Sequence, residues 1–266
     1  MNSPFLPLAR GAENVLQYSH QPARLGRSGA KPSPQGLGFR ILMTDMKRVI
    51  AYIDGYNLYY GLLKGTPYKW LDLVAFVRSF LREDQELVSV KYFTAQIKTY
   101  PFDAPAVDRQ KIYLQAISTL PLVTTVHGFY SKNKTLAPGV NSRCAECDAA
   151  KNGYVPIVKL EEKRSDVNLA VAALTDAYEN AADSFFFFTG DSDQIGTIET
   201  LRGRLGKRVC VFNPQPAFSM KLKVASSYYL NIPRDLPASC QLPDEIPIGD
   251  RGNVLHRPSA WRGQQA

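Results

Sequence analysis

Phe185-Phe186-Phe187-Phe188-Thr189-Gly190-Asp191-Ser192-Asp193 decides how the rest of this chain is read. The run of phenylalanines is short, continuous and apolar, which suits a strand buried on both faces of a parallel sheet. Gly190 then turns the chain, and two carboxylates follow. Val49-Ile50-Ala51-Tyr52-Ile53-Asp54 repeats the arrangement, with Asp54 at its end. Carboxylates placed after such strands lie at the C-terminal edge of the sheet, where open α/β folds carry their sites. A fourth, Asp166, opens a helical pattern.

Outward from these runs the pattern alternates. Strands are expected over 48–53, 87–97, 122–130, 155–160, 185–189 and 208–212, and helices over 56–63, 71–82, 104–119, 166–178 and 193–205. In the helix over 166–178, Val167, Ala170, Val171 and Leu174 recur at helical spacing and form the expected inward face. Strands alternating with helices argue for a doubly wound α/β sheet. The polar stretch 131–153, which holds Cys144 and Cys147, is expected to be a loop.

With 266 residues, 45% of them apolar and 21% charged, the chain can bury one substantial core. The expected organisation is an unstructured extension over 1–45, an α/β domain over 46–233, and a Pro-containing tail over 234–266. Leu242, Ile246, Ile248 and Trp261 would dock that tail in part. No apolar stretch reaches the roughly 18 residues of a membrane span, and no signal pattern opens the chain, so the expected place is the cytoplasm and no membrane partner is expected. A net charge of +8 points mildly to an anionic partner, nucleic acid first; +3 of it belongs to residues 1–45. Four cysteines with one close pair exclude a disulfide framework, and a structural zinc at Cys144 and Cys147 would lack its other two ligands.

Magnesium and manganese prefer hard oxygen ligands, which makes Asp54, Asp166, Asp191 and Asp193 the candidate metal ligands and catalytic residues. Two like charges about 4 Å apart repel by roughly 4 kcal/mol at an effective dielectric of about 20, so such a cluster should be partly protonated until a cation binds. Bound ions can then activate water for phosphodiester cleavage. The plainer alternative makes each aspartate a cap or turn residue, with Ser192 or Asp193 capping the next helix and Asn57 and Asn168 bonding locally.

Four segments then resemble, in order, the motifs of the NYN domain family, the LabA-like branch of the PIN-like nucleases. They are Ile53-Asp54-Gly55-Tyr56-Asn57-Leu58-Tyr59-Tyr60, Glu161-Glu162-Lys163-Arg164-Ser165-Asp166-Val167-Asn168-Leu169-Ala170, Thr189-Gly190-Asp191-Ser192-Asp193 and Leu205-Gly206-Lys207-Arg208-Val209. The resemblance implies a PIN-like three-layer α/β/α sandwich with a central, mainly parallel sheet. It also implies an endoribonuclease dependent on Mg²⁺ or Mn²⁺ that cuts single-stranded RNA. Under it, Asp54, Asp166, Asp191 and Asp193 match the acidic positions and Asn57 the asparagine of the first motif. Lys163, Asn168 and Ser192 are expected to contact substrate, and one of Tyr56, Tyr59 and Tyr60 to stack on an unpaired base, the others being core. Gln194 and the Cys144–Cys147 stretch depart from the family pattern. Two alternatives stay open: a non-catalytic RNA-binding or regulatory module that keeps the acidic pocket, and an aspartyl phosphatase, disfavoured because Asp54-Gly55-Tyr56 lacks a second aspartate. A homo-oligomer is compatible with the sequence.

Overall fold

The computed structural model describes residues 46–97, 104–138, 154–249 and 252–262. The extension expected over 1–45 and the Cys144–Cys147 pair lie outside them. Seven strands succeed one another along the chain: β1 (Lys47–Asp54), β2 (Gln85–Ala95), β3 (Val123–Pro138), β4 (Tyr154–Lys163), β5 (Ser184–Phe188), β6 (Arg208–Asn213) and β7 (Tyr228–Asn231). They form one sheet in the order β4-β3-β2-β1-β5-β6-β7, parallel throughout except for the β3–β4 hairpin. Between them run α1 (Gly55–Leu58), α2 (Leu73–Arg78), α3 (Ala104–Ile117), α4 (Ser165–Tyr178), α5 (Ile195–Glu199) and α6 (Met220–Ala225).

The continuous apolar runs are explained by two cores, one on each side of the sheet. Val49, Ala51, Ile53, Phe186 and Phe188 point into one, with Phe76 of α2 and Ile117 of α3. Ile50, Tyr52, Phe185 and Phe187 point into the other, with Leu169 of α4, Ile198 of α5 and Leu222 of α6. Because side chains alternate along a strand, every residue of a strand covered on both faces must be apolar. The result is the PIN-like α/β/α sandwich with a mostly parallel central sheet.

Several expected elements shift. The stretch 131–153 is not loop from its start, since Phe129–Pro138 of β3 pair antiparallel with Tyr154–Lys163. Ser131–Pro138, the part of β3 that extends beyond the expected strand, is exposed or half-buried and mostly polar, so it carries no buried-strand signature. The helix expected over 71–82 begins at Leu73, because the Asp72 carboxylate accepts the N–H groups of Val74 and Ala75. The helix expected over 193–205 is a short 3-10 turn, then α5, then a π-turn over Thr200–Arg204.

The inward face of α4 is rotated from the expected one, of which Leu174 packs against the core and Ala170 is half-buried. Val167 and Val171 are 64% and 57% exposed, while Leu169, Ala173, Asp176 and Ala177 are buried. Small alanines and an aspartate make a weak hydrophobic signal, yet Asp176 belongs inside because it is fully partnered. Tyr52 Oη donates to it at 2.6 Å and Lys91 Nζ at 2.7 Å.

Residues after β7 form a 3-10 turn at Leu236–Ser239, a hairpin of β8 (Glu245–Ile248) and β9 (Asn253–His256), and a last turn at Ser259–Trp261. Leu242, Ile246, Leu255 and Trp261 are buried in the first core. Trp70 Nε1 donates to the Pro243 carbonyl at 2.7 Å. No described helix is long and apolar enough to cross a membrane.

Candidate active site

Parallel pairing of β1 with β5 sets Ile53 beside Phe188, so Asp54 and Thr189-Gly190-Asp191 emerge together at one sheet edge. Asp54 is only 3% exposed. Its carboxylate accepts the Asn57 N–H at 2.9 Å, Asn57 Nδ2 at 2.6 Å and the Thr189 hydroxyl at 3.0 Å. Thr189 Oγ1 in turn accepts the Asp191 N–H at 3.1 Å, and Asp191 accepts the Asp193 N–H at 2.9 Å. Asp54 and Asp191 are therefore caps as well as candidate site residues; Ser192 and Asp193 are not the caps.

Asn57 does more than bond locally. Its Oδ1 accepts the Gly190 N–H at 3.2 Å and Gln215 Nε2 at 3.1 Å, tying the ends of β1, β5 and β6 together. Gly190 has to be glycine for this closure, since a Cβ there would run into Asn213 Oδ1 and lie 2.6 Å from Gln215 Cγ. Gly190→Ala is expected to destabilise the fold by about 1–3 kcal/mol through overpacking. Gly203→Ala, where a Cβ meets open space, should not, and thermal melts of both variants check this.

Asp166 stands exposed in the first turn of α4 rather than capping it. Its carboxyl is pushed up to about 6, first by the protein that desolvates it and then by Asp54, Asp191 and Asp193. Burial raises Asp54 as well, against the lowering effect of its hydrogen bonds. Glu162 is raised by burial and by Asp166, while the Ser165 hydroxyl donates to it and lowers it. Glu162 thus joins the four expected aspartates as a fifth candidate carboxylate. Side chains alternate between the two faces along β4. Lys159, Glu161 and Lys163 join in ion pairs on one face of that strand, Lys163 to Glu161 at 2.9 Å, and Glu162 takes the other.

The remaining expected residues stand apart. Lys163 is held by Glu161, and Asn168 Nδ2 reaches only the His127 carbonyl, at 3.4 Å. Ser192 and Asp193 are exposed, and Asp193 acts on Asp166 through its field alone. Gln194, the departure from the family pattern, is buried and donates from Nε2 to the Asp166 carbonyl at 3.2 Å.

Asp54, Glu162, Asp166 and Asp191 line one cavity of about 930 Å³. Tyr56, Tyr59 and Tyr60 line it too, at 48%, 38% and 48% exposure, so none of the three is the core residue expected of most of them. The Tyr56 and Tyr60 rings lie 4.4 Å apart. Among the described residues no three His, Cys, Asp or Glu side chains already converge on a single ligating point. The donor set nevertheless fits a hard divalent cation, being all carboxylate oxygen, with Asp54, Glu162 and Asp166 raised first by burial and then by one another's charge.

The chain is similar to known proteins in sequence and in structure. The chain is 32% identical over 248 residues to the 6-hydroxy-3-succinoylpyridine 3-monooxygenase HspA of Pseudomonas putida (strain DSM 28022 / S16), a match covering 85% of this chain and 78% of that one. It is similar in structure to a protein of unknown function, VPA0982 from Vibrio parahaemolyticus RIMD 2210633. That likeness has a TM-score of 0.47 and 18% identity over 73% of this chain and 98% of that one. The NYN domain profile matches residues 48–233, from the first strand to just past the last strand of the sheet, and the chain belongs to the NYN domain family.

Proposed function

We propose that this chain, within the LabA-like branch of its family, is a cytoplasmic nuclease that hydrolyses RNA phosphodiester bonds with Mg²⁺ or Mn²⁺. The observation that carries the reading is convergence: Asp54 from the end of β1, Asp166 from the first turn of α4 and Asp191 from the turn after β5 line one cavity. Folding does not concentrate negative charge this way without a compensating ligand, because each added carboxylate raises the free energy of the others. A bound divalent ion supplies an activated water and screens the charge that develops on the phosphate. Asp54, Asp166 and Asp191 are the residues to hold it, and Asn57 and Thr189 orient Asp54 through the hydrogen bonds above. Tyr56 and Tyr60 offer exposed rings on which an unpaired base can stack.

The test is direct. Purified protein incubated with single-stranded RNA should cut it in Mg²⁺ or Mn²⁺ and leave it intact in chelator. RNA that is bound but uncut under every condition would favour the non-catalytic module instead.

A second reading is favoured by the cavity itself. About 930 Å³ lies within the usual range of small-ligand sites, about 300–1,000 Å³, and tyrosines make up much of its lining. The relative named for oxygenating 6-hydroxy-3-succinoylpyridine acts on a ring of the size such a chamber holds. Loss of that compound in air with a two-electron reductant, with RNA left uncut in Mg²⁺ or Mn²⁺, would place this chain with that relative.

A further inference from the structure

The same cavity has a second, oppositely charged end. Lys69, from the loop before α2, and Arg109, from α3, both line it, as does Trp261 from the last described turn. Lys69 is fixed rather than waving in solvent: its Nζ donates to the Thr66 carbonyl at 2.6 Å, and Thr66 Oγ1 donates to the Leu63 carbonyl at 2.8 Å. One hydrogen bond to a carbonyl leaves two of the three ammonium donors for another acceptor. Lys69 is lowered first by desolvation and then by the positive charge of Arg109, and no carboxylate acts on it. Lys69 thus has two donors to offer an anion that enters this partly dry cavity.

The wall beside them is aromatic. Trp261 is 9% exposed, and its ring lies 6.3 Å from Trp70 and 6.1 Å from Tyr113. A ring so backed is a rigid platform, and a planar ligand loses little freedom in lying against it.

We propose that Lys69, with Arg109 beside it, is a subsite for the anionic group of a ligand whose planar ring rests on the wall formed in part by Trp261. The ligand class is a ring-bearing anion, a chemistry shared by a mononucleotide and by an aromatic acid with a carboxylate arm. The inference goes beyond the cleavage reading and does not need it. It assigns the residues after β7 a part in the cavity, since Trp261 reaches the wall only through the docked segment that ends the described chain.

The experiment uses the two tryptophans of the chain, Trp70 and Trp261, as reporters. The full-length protein, in chelator so that no phosphodiester is cut, is titrated separately with adenosine monophosphate and with 3-succinoylpyridine. At least one should change the tryptophan fluorescence saturably, while uncharged adenosine and 3-acetylpyridine bind more weakly. Lys69→Gln should weaken the charged ligand about tenfold or more, as expected for loss of a hydrogen bond to a charged group, and Lys69→Arg should restore much of it. Binding of the nucleotide alone identifies the source as nucleic acid, and binding of the pyridine acid alone identifies a small aromatic acid. Binding of neither, or equal binding by wild type and Lys69→Gln, overturns the subsite. Because the readout is binding without metal, loss of RNA cleavage would leave this result untouched, and the reverse also holds.

Discussion

Asp191→Asn is expected to lower metal-dependent RNA cleavage by roughly 100-fold or more while the protein still folds. Removing a residue that merely orients a metal ligand costs about 10–100-fold in affinity or activity, so removing a ligand should cost at least as much. The fold should survive for a reason visible in the structure. Asp191 caps the turn Ser192–Gln194 through one accepted bond, from the Asp193 N–H, and an asparagine oxygen accepts that bond equally well. Asp54→Asn should lose as much activity, but it is the less clean variant. Asp54 accepts three hydrogen bonds, and its amide nitrogen would meet the Asn57 Nδ2 donor unless the Asn57 side chain adjusts. Burial raises the Asp54 carboxyl, so losing its charge does not itself strain the folded state. Circular dichroism reports the fold, and a gel of cleaved RNA reports activity. Cleavage at the wild-type rate by both folded variants would remove these aspartates from the mechanism.

What could be read from the sequence divides along physical lines. The central strands were legible because burial on both faces demands unbroken apolar runs, as in Phe185–Phe188, and no other surface of the protein makes that demand. Asp54 and Asp191 were legible because they follow those strands directly, so local order along the chain carried their position in space. Glu162 was missed because its role depends on which face of β4 turns inward, and β4 is an antiparallel edge strand without an apolar alternation to reveal it. The phase of α4 failed for a related reason. Its buried stripe contains Asp176, whose partners Tyr52 and Lys91 lie 124 and 85 residues away. Pairings across such distances leave no mark in a local window. The cation end of the cavity was invisible for the same cause, as Lys69 and Arg109 lie on elements far apart in sequence and Trp261 joins them only through the docking of the residues after β7.

Manganese should raise the melting temperature of the wild type more at pH 7.5 than at pH 5, and the sign follows from the carboxyls. Asp166 is pushed up to about 6 in the folded protein from an ordinary value of 3.8. Below pH 4 it is protonated whether folded or not, and it costs the fold nothing. As pH rises from about 4 to about 6 the unfolded chain releases this proton while the folded chain retains it, so stability falls; above about 6 the penalty is complete. Asp54 and Glu162 are shifted in the same direction and add to it. Glu161, pulled down to about 2 by Lys159 and Lys163, and Asp183, lowered by Arg48, contribute in the opposite sense, and their stabilisation is lost only as pH falls below the ordinary carboxylate range. A divalent cation competes with the proton for the same oxygens, so it relieves the penalty where the carboxyls are ionised and has little to relieve where they are not. At a hundredfold excess over its dissociation constant the ion contributes about 2.7 kcal/mol, an upward shift on the order of 5–10 °C for a domain of this size. Asp166→Asn should melt higher than wild type at pH 7.5 without metal, because the repelled charge is gone, and it should gain less from Mn²⁺. Asp193→Asn should also gain less; a gain equal to that of wild type would leave Asp193 outside the ligand set. Scanning fluorimetry at the two pH values decides the matter, and equal manganese shifts at pH 5 and pH 7.5 would mean that the ion binds away from these carboxylates.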